Sequence, residues 1–208
     1  MRFGPRLPRR FFARPATVVA PDLLGRVLVR MLPDGTRVSV RLVEVEAYGP
    51  DDPASHAFRG RTARNAVMFG PPGHLYVYFT YGMHFCANVV TGTAGVGSAV
   101  LLRAAEPLEG LETMSARRGV EAPRLLCSGP GRLAQAMGVD RRDDGADVVG
   151  GANLELRAGE PLPASRVARS ARVGVRVGVR ERWRYFERGS PFLSPGRPAS
   201  AVTGSRGS

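Results

Sequence analysis

The run Arg37-Val38-Ser39-Val40-Arg41-Leu42-Val43-Glu44-Val45-Glu46-Ala47-Tyr48 decides how this 208-residue chain folds. Successive side chains of a strand point to opposite faces. Val38, Val40 and Leu42 therefore share one face with Glu44 and Glu46, while Arg37, Ser39 and Arg41 begin the other. The apolar face of this strand is expected to end in two carboxylates. A solvated strand would have put them with the arginines. Strand geometry sets the two about 6.6 Å apart.

Upstream, Val18 to Met31 predicts a short helix at Pro21–Leu24 that passes into a strand at Val27–Met31, closed by the turn signal Pro33-Asp34-Gly35. Residues 1–15 are basic, with Phe11 and Phe12 interspersed, and read as an arm leading to the body. Downstream, a polar loop over Gly49–Arg64 precedes two strand-like segments, Leu75–Phe79 and His84–Val90. Thr80-Tyr81-Gly82-Met83 lies between them, which predicts a hairpin with Tyr81 near its tip. Ser98–Ala104 reads as a buried strand, Leu108–Arg118 and Gly131–Met137 as helices, and Asp140–Asp147 as a solvated connection. Arg172–Arg180 alternates Val173, Val175, Val177 and Val179 against Arg172, Arg176 and Arg180, the pattern of a last strand. From Ser194 onward, Ser, Gly, Pro and Ala dominate, and a disordered tail is expected.

Composition narrows the function. Apolar residues make up 43% of the chain, enough for a sizeable core, while 26 Gly and 17 Pro indicate many turns rather than long helices. The formal net charge is +12 and the pI is near 11.2, which favours a polyanionic partner, nucleic acid before membrane. Every basic side chain is Arg. With no Lys, a Lys-type Schiff base is excluded. Cys86 and Cys127 with three histidines show no zinc spacing and no disulfide scaffold. No apolar run reaches membrane-spanning length, and the Arg-rich N-terminus lacks a secretory h-region, so the expected setting is cytoplasmic and reducing. Nucleophile-elbow, phosphate-loop, dinucleotide and His-Glu-x-x-His motifs are all missing.

Three features remain. Glu44 and Glu46 at a core edge could activate water against an electrophilic centre; the alternative is that both are ion-paired to arginine. Tyr48, Tyr76, Tyr78 and Tyr81 could be ordinary core-edge packing, but an aromatic at a hairpin tip beside a basic surface could enter a base stack. Arg59, Arg61 and Arg64, with the arginines between 166 and 188, could contact phosphates or be a solvated face. Stacking, phosphate contacts and a water-activating carboxylate together describe an enzyme that extracts a nucleotide from a duplex.

Val43-Glu44-Val45-Glu46-Ala47-Tyr48, Pro72-Gly73-His74-Leu75-Tyr76-Val77-Tyr78, Tyr81-Gly82-Met83, Leu101-Leu102-Arg103-Ala104, Leu126-Cys127-Ser128-Gly129-Pro130 and Ala171-Arg172-Val173-Gly174-Val175 occur in that order. The series resembles the alkyladenine (3-methyladenine) DNA glycosylase family from about Ala13 to Leu193. The resemblance implies an α+β fold: one compact domain with a curved, mostly antiparallel sheet, peripheral helices and a protruding, DNA-intercalating hairpin. It implies a glycosylase domain over residues 1–193, the arm at 1–15 included, with the tail at 194–208. It also implies a monofunctional, metal-free and cofactor-free monomer that binds damaged duplex DNA through the minor groove.

By motif position, Glu46 resembles the general base, with Arg103 and the backbone carbonyl of Val173 also holding the attacking water. Tyr48, His56 and Tyr78 resemble the walls of the base pocket, Asn88 a gate against the exocyclic amine of guanine, and Tyr81 the residue that fills the gap in the stack. Arg59, Arg61, Thr62, Arg64 and Met68 are the expected contacts to the DNA backbone. The chain departs from the best-known members in a shorter loop between His56 and Arg61 and in Ala66, where those members carry a basic residue. Glu44, His74 and His84 take no role from the resemblance. Two readings of other classes stand beside this one: a non-catalytic nucleic-acid-binding module, and an Arg-rich protein with a protein partner, its charge a product of codon bias.

Overall fold

The structure is a computed structural model that describes residues 3–80 and 82–199. Its hub is β2 (Arg37–Tyr48). One edge of β2 pairs with β5 (Ala99–Glu109), while its other edge pairs first with β1 (Val27–Met31) and then with β8 (Arg184–Glu187). β3 (Leu75–Thr80) and β4 (His84–Val90) form an antiparallel hairpin that joins through β4 to β5. β6 (Leu154–Arg157) extends the sheet beyond β1, and β7 (Val167–Ser170) pairs with β8. The result is one curled antiparallel sheet in the order β3-β4-β5-β2-β1-β6, with β8 and β7 branching from β2. Among the described residues five short helices lie around it: α1 (Arg9–Phe12), α2 (Ala16–Leu23), α3 (Leu111–Arg118), α4 (Pro123–Leu126) and α5 (Pro130–Met137). The fold is α+β, as expected. Among the described residues no helix is long and apolar enough to cross a membrane.

The predicted face of the two carboxylates needs correction. Core positions on β2 run Val38, Val40, Leu42 and then Val45, Ala47, so the parity changes between Leu42 and Val45. The ladder to β5 shifts register there, leaving Val43 on β2 and Arg103 on β5 as extra residues. A bulge adds one residue and re-aims everything after it. Glu44 and Glu46 therefore leave the core face and turn to the opposite side of the sheet. The simple period-2 reading misses this because it carries one phase through the whole strand.

Further differences have local causes. The helix expected at Pro21–Leu24 is longer, Ala16–Leu23, with Pro21 inside it. Proline lacks the N–H that would bond the Thr17 carbonyl; the Tyr185 hydroxyl donates to that carbonyl instead, at 3.2 Å. The expected arm is not free-standing. Leu7 and Phe12 are buried in the main core, and Arg9 donates to the Pro72 carbonyl (2.8 Å) and pairs with Asp147 (2.7 Å). β5 continues to Glu109, so the helix predicted from Leu108 begins at Leu111.

Arg172–Arg180 is not a strand. Gly174 and Gly178 adopt φ of +74° and +60°, which interrupt any extended run, and only an isolated bridge between Val173 and Pro198 remains. That bridge, with the Ala199 N–H on the Arg172 carbonyl (2.7 Å) and a buried Ser194, also places residues 194–199 against the body rather than in a tail.

Candidate active site

The face of the sheet opposite the main core carries one lateral row of residues. Glu46 is paired with Leu101, Leu101 with Asn88, and Asn88 with Tyr76, across β2, β5, β4 and β3. Tyr48 and Tyr78 stand two residues along β2 and β3 from that row, hence on the same face. A second, smaller apolar cluster of Ala57, Met68, Tyr76, Val90 and Ala99 backs this face. Between it and the segment 173–177 lies a cavity of about 390 Å³, walled by Tyr48, His56, Tyr76, Tyr78, Asn88 and Arg103 among others. Its size is that of a small-molecule pocket.

The wall is built from interlocked rings. Tyr76 and Tyr78 stack with centroids 5.5 Å apart, and the His56 ring stands edge-on to Tyr78 at 4.5 Å. His56 Nδ1 lies 2.9 Å from the Tyr76 hydroxyl. The loop that carries His56 is pinned by buried Asn65, whose Nδ2 donates to the His56 and Gly60 carbonyls (2.8 and 3.0 Å). Desolvation of the ring, assisted by nearby Arg64, pushes the His56 pKa below its ordinary value. Burial pushes the Tyr76 phenol up to about 12 and raises Tyr78 further. Asn88 spends its Nδ2 on the Tyr76 carbonyl at 3.1 Å, which leaves its Oδ1 for whatever enters the cavity.

Glu46 sits behind this wall, fully buried. Its Oε1 accepts the Val173 N–H at 2.7 Å, and its Oε2 accepts the Tyr48 hydroxyl at 3.0 Å and faces Arg103 Nη1 at 3.4 Å. Val173 thus meets the carboxylate through its N–H. A carboxylate offers about four acceptor sites. With three occupied, the remaining one is on Oε1, and a water there would complete the set. Burial raises the pKa of Tyr48 well above the ordinary phenol value, with Glu46 adding to it, so its hydroxyl stays a donor.

Glu44 is the anchor of the site. Its Oε1 accepts from Arg103 Nε (2.9 Å), Arg184 Nε (2.8 Å) and Ser194 Oγ (2.8 Å), and its Oε2 accepts the Ser194 N–H (2.7 Å). Burial alone would raise the Glu44 pKa, but Arg103 and Arg184 outweigh it and hold the carboxyl below its ordinary value. Arg103 thereby bridges both acids: burial works against its charge, and Glu46 and Glu44 more than restore it. Of the two readings for the acid pair, ion pairing describes Glu44 fully, with two guanidinium groups and Ser194 on it, whereas Glu46 meets three donors and faces its one guanidinium only at 3.4 Å.

A second strut has no signature in the sequence pattern. Arg172, wholly buried, pairs with Asp52 and donates to the Ala47 carbonyl at 3.0 Å. Its guanidinium lies 4.6 Å from the Tyr48 ring centroid and 5.2 Å from that of Trp183. One side chain thus ties the end of β2, the loop leading to His56 and the segment carrying Val173. A Cβ at Gly178 would come 2.8 Å from Arg172 Nη2 and 3.0 Å from Asp52 Oδ1. Gly178→Ala is therefore expected to lower stability by about 1–2 kcal/mol from its left-handed backbone alone. A thermal midpoint equal to wild type would show that this turn yields freely.

The expected residues divide accordingly. Arg103, Val173, Tyr48, His56, Tyr78 and Asn88 line one cavity, and Glu46 lies behind it, bonded to Val173, Tyr48 and Arg103. Arg59, Arg61 and Thr62 are exposed on the adjoining loop. Met68, expected at the DNA backbone, is instead 2% exposed and packs in the smaller cluster, because the 3₁₀ turn Ala66–Phe69 directs it inward. Arg64 lines the cavity. Tyr81 lies outside the described residues. Sequence reasoning missed Arg172, Arg184, Asp52 and Ser194, and gave Tyr76 no part in the pocket although its spacing from Tyr78 could have suggested one. Among the described residues no group of His, Cys, Asp and Glu is placed to hold a metal.

A model of the family described as Methylpurine-DNA glycosylase (MPG) matches residues 10–191. A Streptomyces avermitilis protein named "Putative 3-methyladenine DNA glycosylase" is 54% identical over 196 residues, 92% of each chain. Proteins of the same name from Burkholderia lata (50% over 194 residues, 92% of each chain) and Carboxydothermus hydrogenoformans (45% over 188 residues, 90% of this chain and 98% of the other) are similar over nearly the same length.

Proposed function

The chain belongs to the methylpurine-DNA glycosylase family, and on that premise we propose that it is a monofunctional DNA glycosylase that hydrolyses the N-glycosidic bond of damaged purines in duplex DNA. The substrates are alkylated or deaminated purines of the 3-methyladenine, 7-methylguanine, hypoxanthine and ethenoadenine class, and the product is an abasic site for base excision repair. The observation that carries this reading is Glu46: a buried carboxylate, oriented by Val173 N–H, Tyr48 and Arg103, with one acceptor site open beside a purine-sized, tyrosine-walled cavity.

In this reading the protein approaches from the minor groove as a monomer, and the exposed Arg59, Arg61 and Thr62 meet the sugar–phosphate backbone. Tyr81 fills the gap left in the stack, which offsets part of the few kcal/mol that extrusion costs. The flipped purine lies against Tyr48, Tyr78 and His56. The Asn88 side chain, held by its bond to the Tyr76 carbonyl, takes up the space that the exocyclic amine of normal guanine would need. A water on Glu46 Oε1 adds through its oxygen to the sugar C1′ as the N-glycosidic bond breaks. The bonding electron pair leaves with the base, and the water's proton goes to Glu46. The transition state resembles an oxocarbenium ion, which the adjacent carboxylate also stabilises.

The test is base release by the wild-type protein from duplexes carrying hypoxanthine and from methylated DNA. Free base is expected, with strands that break only after alkali, since no Lys is present to open the sugar as a Schiff base. Strand breakage without alkali would remove the monofunctional part of the reading. Salt-sensitive duplex binding with no release from either substrate would remove the catalytic part and leave a binding module.

A further inference from the structure

Leaving-group chemistry poses a question that the cavity wall answers. A purine alkylated at N3 or N7 already carries positive charge and departs as a neutral base. Hypoxanthine is neutral and must depart with the electron pair of the broken bond, which calls for a proton or a fixed positive charge on its far edge. The wall offers no ready proton. Desolvation and the neighbouring Arg64 lower the pKa of His56; burial raises Tyr48, Tyr76 and Tyr78, and Cys86 as well.

The remaining charged groups on the cavity are Arg64, Arg103 and Arg176. Arg103 is committed to Glu44 and Glu46. Arg176 is exposed, on the segment 173–177 that carries Val173. Arg64 has its guanidinium carbon 6.0 Å from the Tyr78 ring centroid, at the His56–Tyr76 end of the wall. Among the described residues it forms no ion pair with a carboxylate. Its charge is therefore not spent on a neighbouring acid.

We propose that Arg64 is a catalytic residue for neutral lesions: its guanidinium meets the outer edge of the flipped purine and stabilises the negative charge that develops there as the glycosidic bond breaks, in place of a general acid. Bookkeeping is simple, since no proton passes from Arg64; the pair of electrons stays on the purine and the water's proton stays with Glu46 until exchange with solvent. The same cation gives nothing to an N-alkylated purine that bears its own charge. Arg64 thus divides the substrate class, favouring deaminated purines over cationic ones. This inference rests on the glycosylase reading above, and it moves Arg64 from the DNA backbone, where the sequence resemblance puts it, to the base.

The experiment compares single-turnover release of hypoxanthine and of 7-methylguanine from duplexes of one sequence, for wild type, Arg64→Gln and Arg64→Lys. Arg64 is exposed at the cavity rim, so neither change disturbs the core. Loss of one donor to a developing anion costs on the order of 100-fold. Arg64→Gln is expected to slow hypoxanthine release by about that factor and 7-methylguanine release by less than about threefold, with Arg64→Lys between wild type and Arg64→Gln on hypoxanthine alone. Equal losses on both substrates would overturn the proposal and mark Arg64 as a phosphate contact; no loss on either would overturn it too. A wild type inactive on both substrates would instead defeat the glycosylase reading itself.

Discussion

Glu46→Gln is expected to slow base release by roughly 10²–10⁴-fold, the usual contribution of a positioned general base, with duplex affinity unchanged. Glutamine keeps the length of the side chain and can still accept the Val173 N–H that now reaches Oε1 at 2.7 Å. It cannot accept a proton from water. Affinity is untouched because Glu46 is fully buried and lies behind the cavity wall, out of reach of any phosphate. Single-turnover rates with excess protein, set beside duplex titrations at several salt concentrations, separate the two effects. A variant that releases hypoxanthine within a few-fold of wild type would remove Glu46 from the chemistry. Equal losses in rate and affinity would assign it to binding instead.

The second large effect is on stability. Glu44→Gln removes the charge that Arg103 and Arg184 share, and both guanidinium groups are almost wholly buried. Arg103 would keep one carboxylate, Glu46 at 3.4 Å, and Arg184 none; a neutral amide oxygen would be the one acceptor left at position 44 for both guanidinium groups. Breaking a buried ion pair by removing one partner costs about 3–5 kcal/mol. For a chain of this length that lowers the melting midpoint by roughly 10 °C.

The pH dependence has a definite sign. Arg103 and Arg184 hold the folded-state pKa of Glu44 below its ordinary value of 4.5. The contribution of Glu44 is therefore complete above pH 4.5 and is lost as the pH falls through the folded-state value. The gap in midpoint between wild type and Glu44→Gln should be widest near neutrality and should close on acidification below pH 4.5. A gap that stays constant across that range would show that charge pairing at Glu44 contributes nothing.

Much of the scaffold was legible because local pattern and tertiary outcome agree. β1 and β2, the β3–β4 hairpin and the helix before Met137 follow from alternation, turn residues and an apolar stripe, and each was found where those signals put it. The valine–arginine alternation of Arg172–Arg180 failed because glycine at 174 and 178 admits positive φ, a freedom that a count of apolar positions ignores. The short N-terminal segment read as an arm because its charge is visible in sequence, whereas the burial of Leu7 and Phe12 depends on surfaces more than a hundred residues away, such as β6.

What the sequence by itself determined was the chemistry on offer: an all-arginine cation set, no lysine for a Schiff base, two carboxylates on one strand, and tyrosines at strand spacing. Which carboxylate is anchor and which is left with an open acceptor site was decided only by tertiary structure. Val43 and Arg103 each add a residue to their strands, which turns Glu44 and Glu46 off the core face. Arg184 and Ser194 then arrive 140 and 150 residues later in the chain to occupy Glu44. Backbone alternation is a local property that any strand-length window reveals. The division of labour between two identical side chains depends on which distant donors reach each one, and only the closed fold brings those donors within hydrogen-bond distance.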